Sequence, residues 1–211
     1  MIVVINLKNY KIGKDIYDLI KKIEIYYNNA IVAVPSLEIK EAIKNTSLTI
    51  YAQHVDSQDQ GRSTGKIIPE ALVSLGVQGS LLNHSENKIK IGEIKKTIKR
   101  CNELGLKLIV CASDLKEVKR LVKLRPWAIA FEDPRLIASG KSVTEHDSKE
   151  IKEFVSLLEN SEITPLCGAG IHSGKDVASA LVLGCKGILV SSVVANSSNP
   201  ENFLKELGSL N

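Results

Sequence analysis

Paired cysteines are missing from this sequence. Its four, Cys101, Cys111, Cys167 and Cys185, are scattered without any Cys-x-x-Cys spacing, which argues against a zinc ribbon and against a redox motif. The histidines, His54, His84, His146 and His172, show no metal-ligand spacing either, so no metal is expected. Also absent is an apolar run near the roughly 18 residues that cross a bilayer. The apolar start, Met1 to Asn6, has no basic leader or small-residue cleavage site, and reads as a first strand, not a signal. No basic block with interleaved aromatics occurs; lysines are spread along helix-like segments and the net charge is only +4, which disfavours nucleic acid. These absences lead to the expectation of reduced thiols and a cytoplasmic location, with neither membrane nor nucleic acid as partner.

What is present is an ordinary globular composition, 44% hydrophobic and 25% charged over 211 residues, enough for one large domain and short for two. Eight short apolar runs, rich in β-branched residues, lie at 2–5, 30–34, 48–53, 79–83, 106–111, 127–132, 163–167 and 187–191. They do not alternate with polar residues, the pattern of strands covered on both faces and paired in parallel. Helical periodicity separates them, at 15–27, 36–44, 68–75, 114–124, 147–159, 175–183 and 200–207. The segment after the fourth run places Ile91, Ile94, Ile98 and Cys101 on one face. Gly76, Gly105 and Gly184 suit helix C-termini, and Pro69 and Pro200 suit first turns. Strict alternation of eight units predicts a single-domain α/β chain, a parallel eight-stranded (β/α)8 barrel, with an open doubly wound sheet as the alternative.

In such barrels chemistry sits on the loops after the strands. That rule selects Asn6 and Lys8, two apart after the first strand, where an extended backbone would aim both into the barrel mouth. It selects His84 in Asn83-His84-Ser85-Glu86 after the fourth strand, where the positive end of a following helix would favour a neutral imidazole able to donate a hydrogen bond. It selects Glu132, a carboxylate ending the apolar strand Trp127-Ala-Ile-Ala-Phe-Glu132, either a base or a salt-bridge partner. The glycine-rich turn Cys167-Gly-Ala-Gly-Ile-His-Ser-Gly174 and the pair Ser191-Ser192 follow strands seven and eight, where backbone N–H groups commonly hold phosphate. His54 and His146 read as solvent or structural groups; His172 stays open.

These residues, in this order, resemble triosephosphate isomerases of the short archaeal type, from Asn6 through Ala195, most specifically in Ala52-Gln-His-Val-Asp56, Leu82-Asn-His-Ser-Glu-Asn87 and Leu166-Cys-Gly-Ala-Gly-Ile171. The resemblance implies an aldose–ketose isomerase acting in glycolysis and gluconeogenesis on a small phosphorylated three-carbon substrate, dihydroxyacetone phosphate or glyceraldehyde 3-phosphate, without cofactor or metal. By that likeness Glu132 is the base, His84 the electrophile, Asn6 and Lys8 the substrate-binding pair, and Ile137, Ala138, Gly170, Ser191 and Ser192 surround the phosphate. By the same likeness the polar segment 57–65 would dock into a neighbouring subunit, so the resemblance implies a homodimer or homotetramer. The chain departs from the family pattern at Asp133, where proline is usual, and at Ala138 and Val193, where glycine is usual. Competing readings are another phosphate-binding barrel enzyme, such as a sugar-phosphate lyase or aldolase, and a non-catalytic ligand-binding barrel.

Overall fold

The structure, a computed structural model, describes residues 1–132 and 148–210. Eight strands run in chain order, β1 Ile2–Asn6, β2 Ile31–Val34, β3 Thr49–Ala52, β4 Gly79–Leu82, β5 Lys107–Ala112, β6 Ala128–Phe131, β7 Thr164–Cys167 and β8 Gly187–Val190. Each pairs in parallel with the next, and β8 pairs with β1 through Val4↔Leu189 and its neighbours, so the sheet is closed and the open-sheet alternative is excluded.

Among the described residues, helices α1 Lys14–Tyr26, α2 Ile39–Asn45, α3 Pro69–Ser74, α4 Ile91–Glu103, α5 Leu115–Leu121, α6 Ser148–Ser156, α7 Gly174–Val182 and α9 Pro200–Gly208 lie between or after the strands, with a short α8, Ser192–Ala195. Pro69 and Pro200 occupy first-turn positions, where a missing N–H costs nothing. Gly76, Gly105 and Gly184 follow helices with φ of 86°, 73° and 101°. The apolar stripe of α4 is shifted from expectation. Ile94, Thr97, Ile98 and Cys101 are buried, while Ile91 is exposed, because the helix starts there and the 3.6-residue period carries the stripe through Thr97 instead.

Strand alternation builds two cores. Val4, Ala33, Tyr51, Leu81, Ile109, Cys111, Ala128, Ala130, Leu166 and Leu189 form one buried cluster inside the barrel. Their neighbours along the chain, such as Val3, Ile5, Leu82, Val110, Phe131 and Ile188, belong to a second cluster shared with the helices, as a period of two requires. Phe131 stacks on Phe154 of α6 at 5.3 Å between centroids, tying the last residue before Glu132 to the helix layer. The inward parity of Val4, Ala130, Leu166 and Leu189, continued two residues, reaches Asn6, Glu132, Gly168 and Ser191. The alternation that fills the core thus also selects which strand-end residues face the mouth.

Candidate active site

At the C-terminal end of the barrel two adjoining hollows open. One, about 660 Å³, is walled by the loops after β1 to β4, including Pro35, Gln53 and His54. The other, about 60 Å³, is bounded by Glu132, Gly168 to His172 and Ser191 to Val193. Asn6, Lys8, Tyr10 and His84 belong to both walls. A wider cleft of about 1000 Å³ lies around Lys107, Arg125 and Trp127, at the end where the strands begin; the expected chemistry of a parallel barrel belongs to the other end.

Glu132 follows β6 and is only 5% exposed. Its N–H donates to the Ala112 carbonyl at 2.8 Å, one rung beyond the ladder of β5 and β6. Its Oε2 is buried and accepts no hydrogen bond from a described residue, an arrangement that is costly unless a ligand or a proton occupies it. Beneath it, burial and then the adjacent Glu132 carboxylate push the Cys111 thiol well above its ordinary range, so Cys111 forms a neutral floor. Gly168 makes room for the carboxylate, since a Cβ there would stand 2.4 Å from Glu132 Cγ.

His84 is 7% exposed, and its Nε2 lies 3.4 Å from Glu132 Oε1. The Glu86 N–H donates to His84 Nδ1 at 3.2 Å. A nitrogen that accepts carries no proton, so the ring proton sits on Nε2, the atom aimed at Glu132. Helix α4 begins only at Ile91, and the described donor that orients the ring is the Glu86 N–H.

Lys8 also reaches the mouth by another route than an extended segment. Strand β1 ends at Asn6, and Lys8 takes φ of 46°, a conformation costing on the order of 1 kcal/mol or more for such a residue. Two side chains hold it there. Asn6 Oδ1 accepts the Lys8 N–H at 3.0 Å, and Gln53 Nε2 donates to the Lys8 carbonyl at 3.1 Å. Lys8 Nζ then pairs with Glu86 Oε1 at 2.7 Å. Gln53 was legible only as part of a motif; its role as a brace appears once β3 packs next but one to β1, across β2.

On the opposite wall the N–H groups of Gly170, Ile171, Ser192 and Val193 donate to no described residue, and the buried Ser191 Oγ has no partner among them either. Unused donors converging on a hollow suit an oxyanion or phosphate. The neighbouring donors are already engaged. Asp176 Oδ2 accepts from the His172 and Ser173 N–H groups, and Glu206 Oε2 accepts from that of Gly174 at 2.6 Å. His172 is exposed at the rim. Val193 lies within α8 and is absent from the positive-φ positions, so the glycine usual there is not required by the backbone. His54 pairs with Asp56 at 3.4 Å, a structural contact. Ile137 and Ala138, with Asp133 and His146, fall outside the described residues. Among the described residues no group of three or more His, Cys, Asp or Glu side chains could hold a metal ion, and no helix is long and apolar enough to cross a membrane.

Comparison with known proteins agrees with this geometry. The family model of triosephosphate isomerase matches residues 1–207. Among similar proteins, the triosephosphate isomerase of Sulfurisphaera tokodaii is 39% identical over 97% of this chain and 93% of its own length. That of Methanocaldococcus jannaschii is 34% identical over 98% of each chain, and that of Cenarchaeum symbiosum is 39% identical over 98% of this chain and 96% of its own. With the closed parallel barrel and a match that runs through nearly the whole sequence, this chain belongs to the triosephosphate isomerase family.

Proposed function

We propose that the protein interconverts dihydroxyacetone phosphate and glyceraldehyde 3-phosphate through an enediolate, with Glu132 as base and His84 as electrophile. The observation that carries this reading is the buried Glu132 carboxylate 3.4 Å from His84 Nε2, on a ring whose Nδ1 accepts the Glu86 N–H. A glutamate base working with a neutral histidine is a division of labour for which triosephosphate isomerase is itself the standard example.

The chemistry follows from what each group can accept or donate. Glu132 takes a proton from one substrate carbon and returns it to the adjacent carbon; His84 Nε2–H donates to the neighbouring oxygen as charge develops on it. Lys8 leaves its pairing with the more exposed Glu86 carboxylate and adds its positive charge at that oxygen, while Asn6 fixes the backbone that carries it. The phosphate accepts the free N–H groups of Gly170, Ile171, Ser192 and Val193 and the Ser191 hydroxyl. The substrate has to enter between Glu132 and His84, which approach to 3.4 Å and share no hydrogen bond among the described residues. Remote phosphate contacts supply the binding energy that orients the three carbons.

A Schiff-base aldolase would need a lysine in an apolar pocket, and Lys8 stands against a carboxylate instead. The reading also carries a homo-oligomer in which segment 57–65 of one copy enters the 660 Å³ hollow of another, supported by the exposed Tyr10 and Leu37 that line that hollow. Four free, buried thiols suit a reducing cytoplasm. An isomerisation assay with both triose phosphates tests the function. Turnover by the wild type, lost by roughly 10³-fold in Glu132→Gln, supports it, since a general base contributes ~10²–10⁴; a folded wild type with no turnover leaves a ligand-binding barrel.

A further inference from the structure

We infer that Glu117, on helix α5 and outside both hollows, is a positioning residue for His84, acting through Asn83; the inference rests on His84 being the electrophile of the proposed reaction.

The starting point is strand parity. In β4 Leu81 faces the barrel interior and Leu82 the helix layer. Continued without interruption, that alternation would send Asn83 into the mouth and His84 outward among the helices. The structure has the reverse. Asn83 takes φ of 59°, a left-handed turn that asparagine tolerates better than most residues. That single turn swaps the two side chains, so that His84 lines the mouth with Glu132 while Asn83 points toward α5.

Every hydrogen-bonding edge of the Asn83 amide is used to hold the turn. Nδ2 donates to the Cys111 carbonyl at 2.9 Å and to Glu117 Oε1 at 2.7 Å, and Oδ1 accepts the Ile89 N–H at 3.1 Å. Glu117 is the anchor on the far side. Its Oε2 accepts from the Ser113 N–H at 2.7 Å, from the Ser113 hydroxyl at 3.1 Å and from Lys88 Nζ at 2.7 Å. Its own position is set by the Asp114 side chain, which accepts the Glu117 N–H at 2.7 Å. One carboxylate thus fastens the loop carrying His84 to the loop after β5, and both its oxygens act only as acceptors. A glutamine offers one acceptor and one donor, so either way round its amide nitrogen faces a donor, at Asn83 or at Ser113 and Lys88. Catalysis is sensitive to such aim because a displacement of about 1 Å can cost ~10²-fold.

The experiment compares wild type, Glu117→Gln and Lys88→Met, each judged folded by circular dichroism and with rates expressed per folded enzyme. Lys88→Met removes only the Lys88 arm and should leave kcat within about twofold. Glu117→Gln should lower kcat about tenfold or more with KM within about twofold, because the phosphate donors lie on other loops. The His84 imidazole 15N shifts should move in the folded Glu117→Gln protein, reporting a changed Nδ1 contact, and stay in place in Lys88→Met. Unchanged kcat and unchanged shifts in folded Glu117→Gln would overturn the inference, as would an equal loss of kcat in Lys88→Met. An active wild type with either of those results sinks this inference alone; an inactive wild type sinks the proposed reaction, and the 15N shifts still report whether Glu117 positions His84.

Discussion

Gly168 and Glu132 meet across the β6–β7 seam so closely that any larger side chain at Gly168 must displace Glu132: the Glu132 Cγ methylene would stand 2.4 Å from an added Cβ, with the Phe131 carbonyl at 3.1 Å. The Gly168 N–H is meanwhile fixed to that same carbonyl at 2.8 Å, so the loop cannot back away without breaking the ladder. The base and the start of the phosphate loop are therefore mechanically linked.

Gly168→Ala should displace Glu132 and not merely crowd it. The expected outcome is a kcat lowered by ~10–10²-fold in a protein that still folds, because a base held off its productive geometry by about 1 Å loses rate steeply. Steady-state kinetics with circular dichroism on the same sample checks it; wild-type kcat would mean that the carboxylate accommodates a methyl group without losing its aim.

Lys8→Met preserves much of the stem and removes the charge. If Lys8 works on the developing oxygen charge, kcat/KM falls by ~10²–10³-fold, the range seen when one preorganised donor is removed from such a site. Stability should change far less, since its ion pair with Glu86 has one exposed member, and exposed pairs contribute little. Thermal unfolding and initial rates, measured side by side, separate the two effects.

Ser173→Ala removes the reciprocal cap at the start of α7, where the hydroxyl accepts the Asp176 N–H and donates to Asp176 Oδ2 at 2.9 Å. A lost cap costs ~1 kcal/mol, which for a domain of this size lowers Tm by about 2–4 °C. Because the same turn carries the free donors of Gly170 and Ile171, KM should rise more than kcat falls. An unchanged KM would uncouple the cap from phosphate binding.

Acid should unfold the protein through carboxylates other than the Glu132 base. The Gly13 N–H, followed by the Tyr17 hydroxyl, holds Glu38 below its ordinary value of 4.5. Burial pushes Glu117 up, but Lys88, Ser113 and Asn83 outweigh it and leave that carboxyl lowered as well. A depressed folded value means that the unfolded chain takes up protons first as pH falls. The stabilisation is full above about 4.5 and is lost as pH descends through the lower folded values. Denaturant midpoints measured from pH 7 to pH 3 should fall below about 4.5, and Glu38→Gln should flatten that fall; an equally steep fall in the variant would assign the acid sensitivity elsewhere.

Much of this molecule can be read from short-range rules. Eight apolar runs alternating with helical periodicity point to a parallel sheet covered on both faces, because such strands have nowhere polar to point. The closure of β8 on β1, which excludes the open sheet, was decided by the tertiary structure. Glu132, Asn6 and Ser191 were accessible in the same way, since each continues the inward parity of its strand. The local alternation had no means of assigning His84 by parity, and an extended reading of Asn6 to Lys8 missed the turn at Lys8.

The sequence by itself determined the period of each segment, the strand ends and the residue types gathered there, because these depend on neighbours two to four places along the chain. The tertiary structure alone decided which of those side chains meet. The left-handed turns at Lys8 and Asn83 are held by Gln53, Cys111 and Glu117, residues 28 to 45 positions away in the chain. A backbone conformation that is unfavourable locally persists only where distant partners offset its cost, and that balance exists only after the barrel has closed.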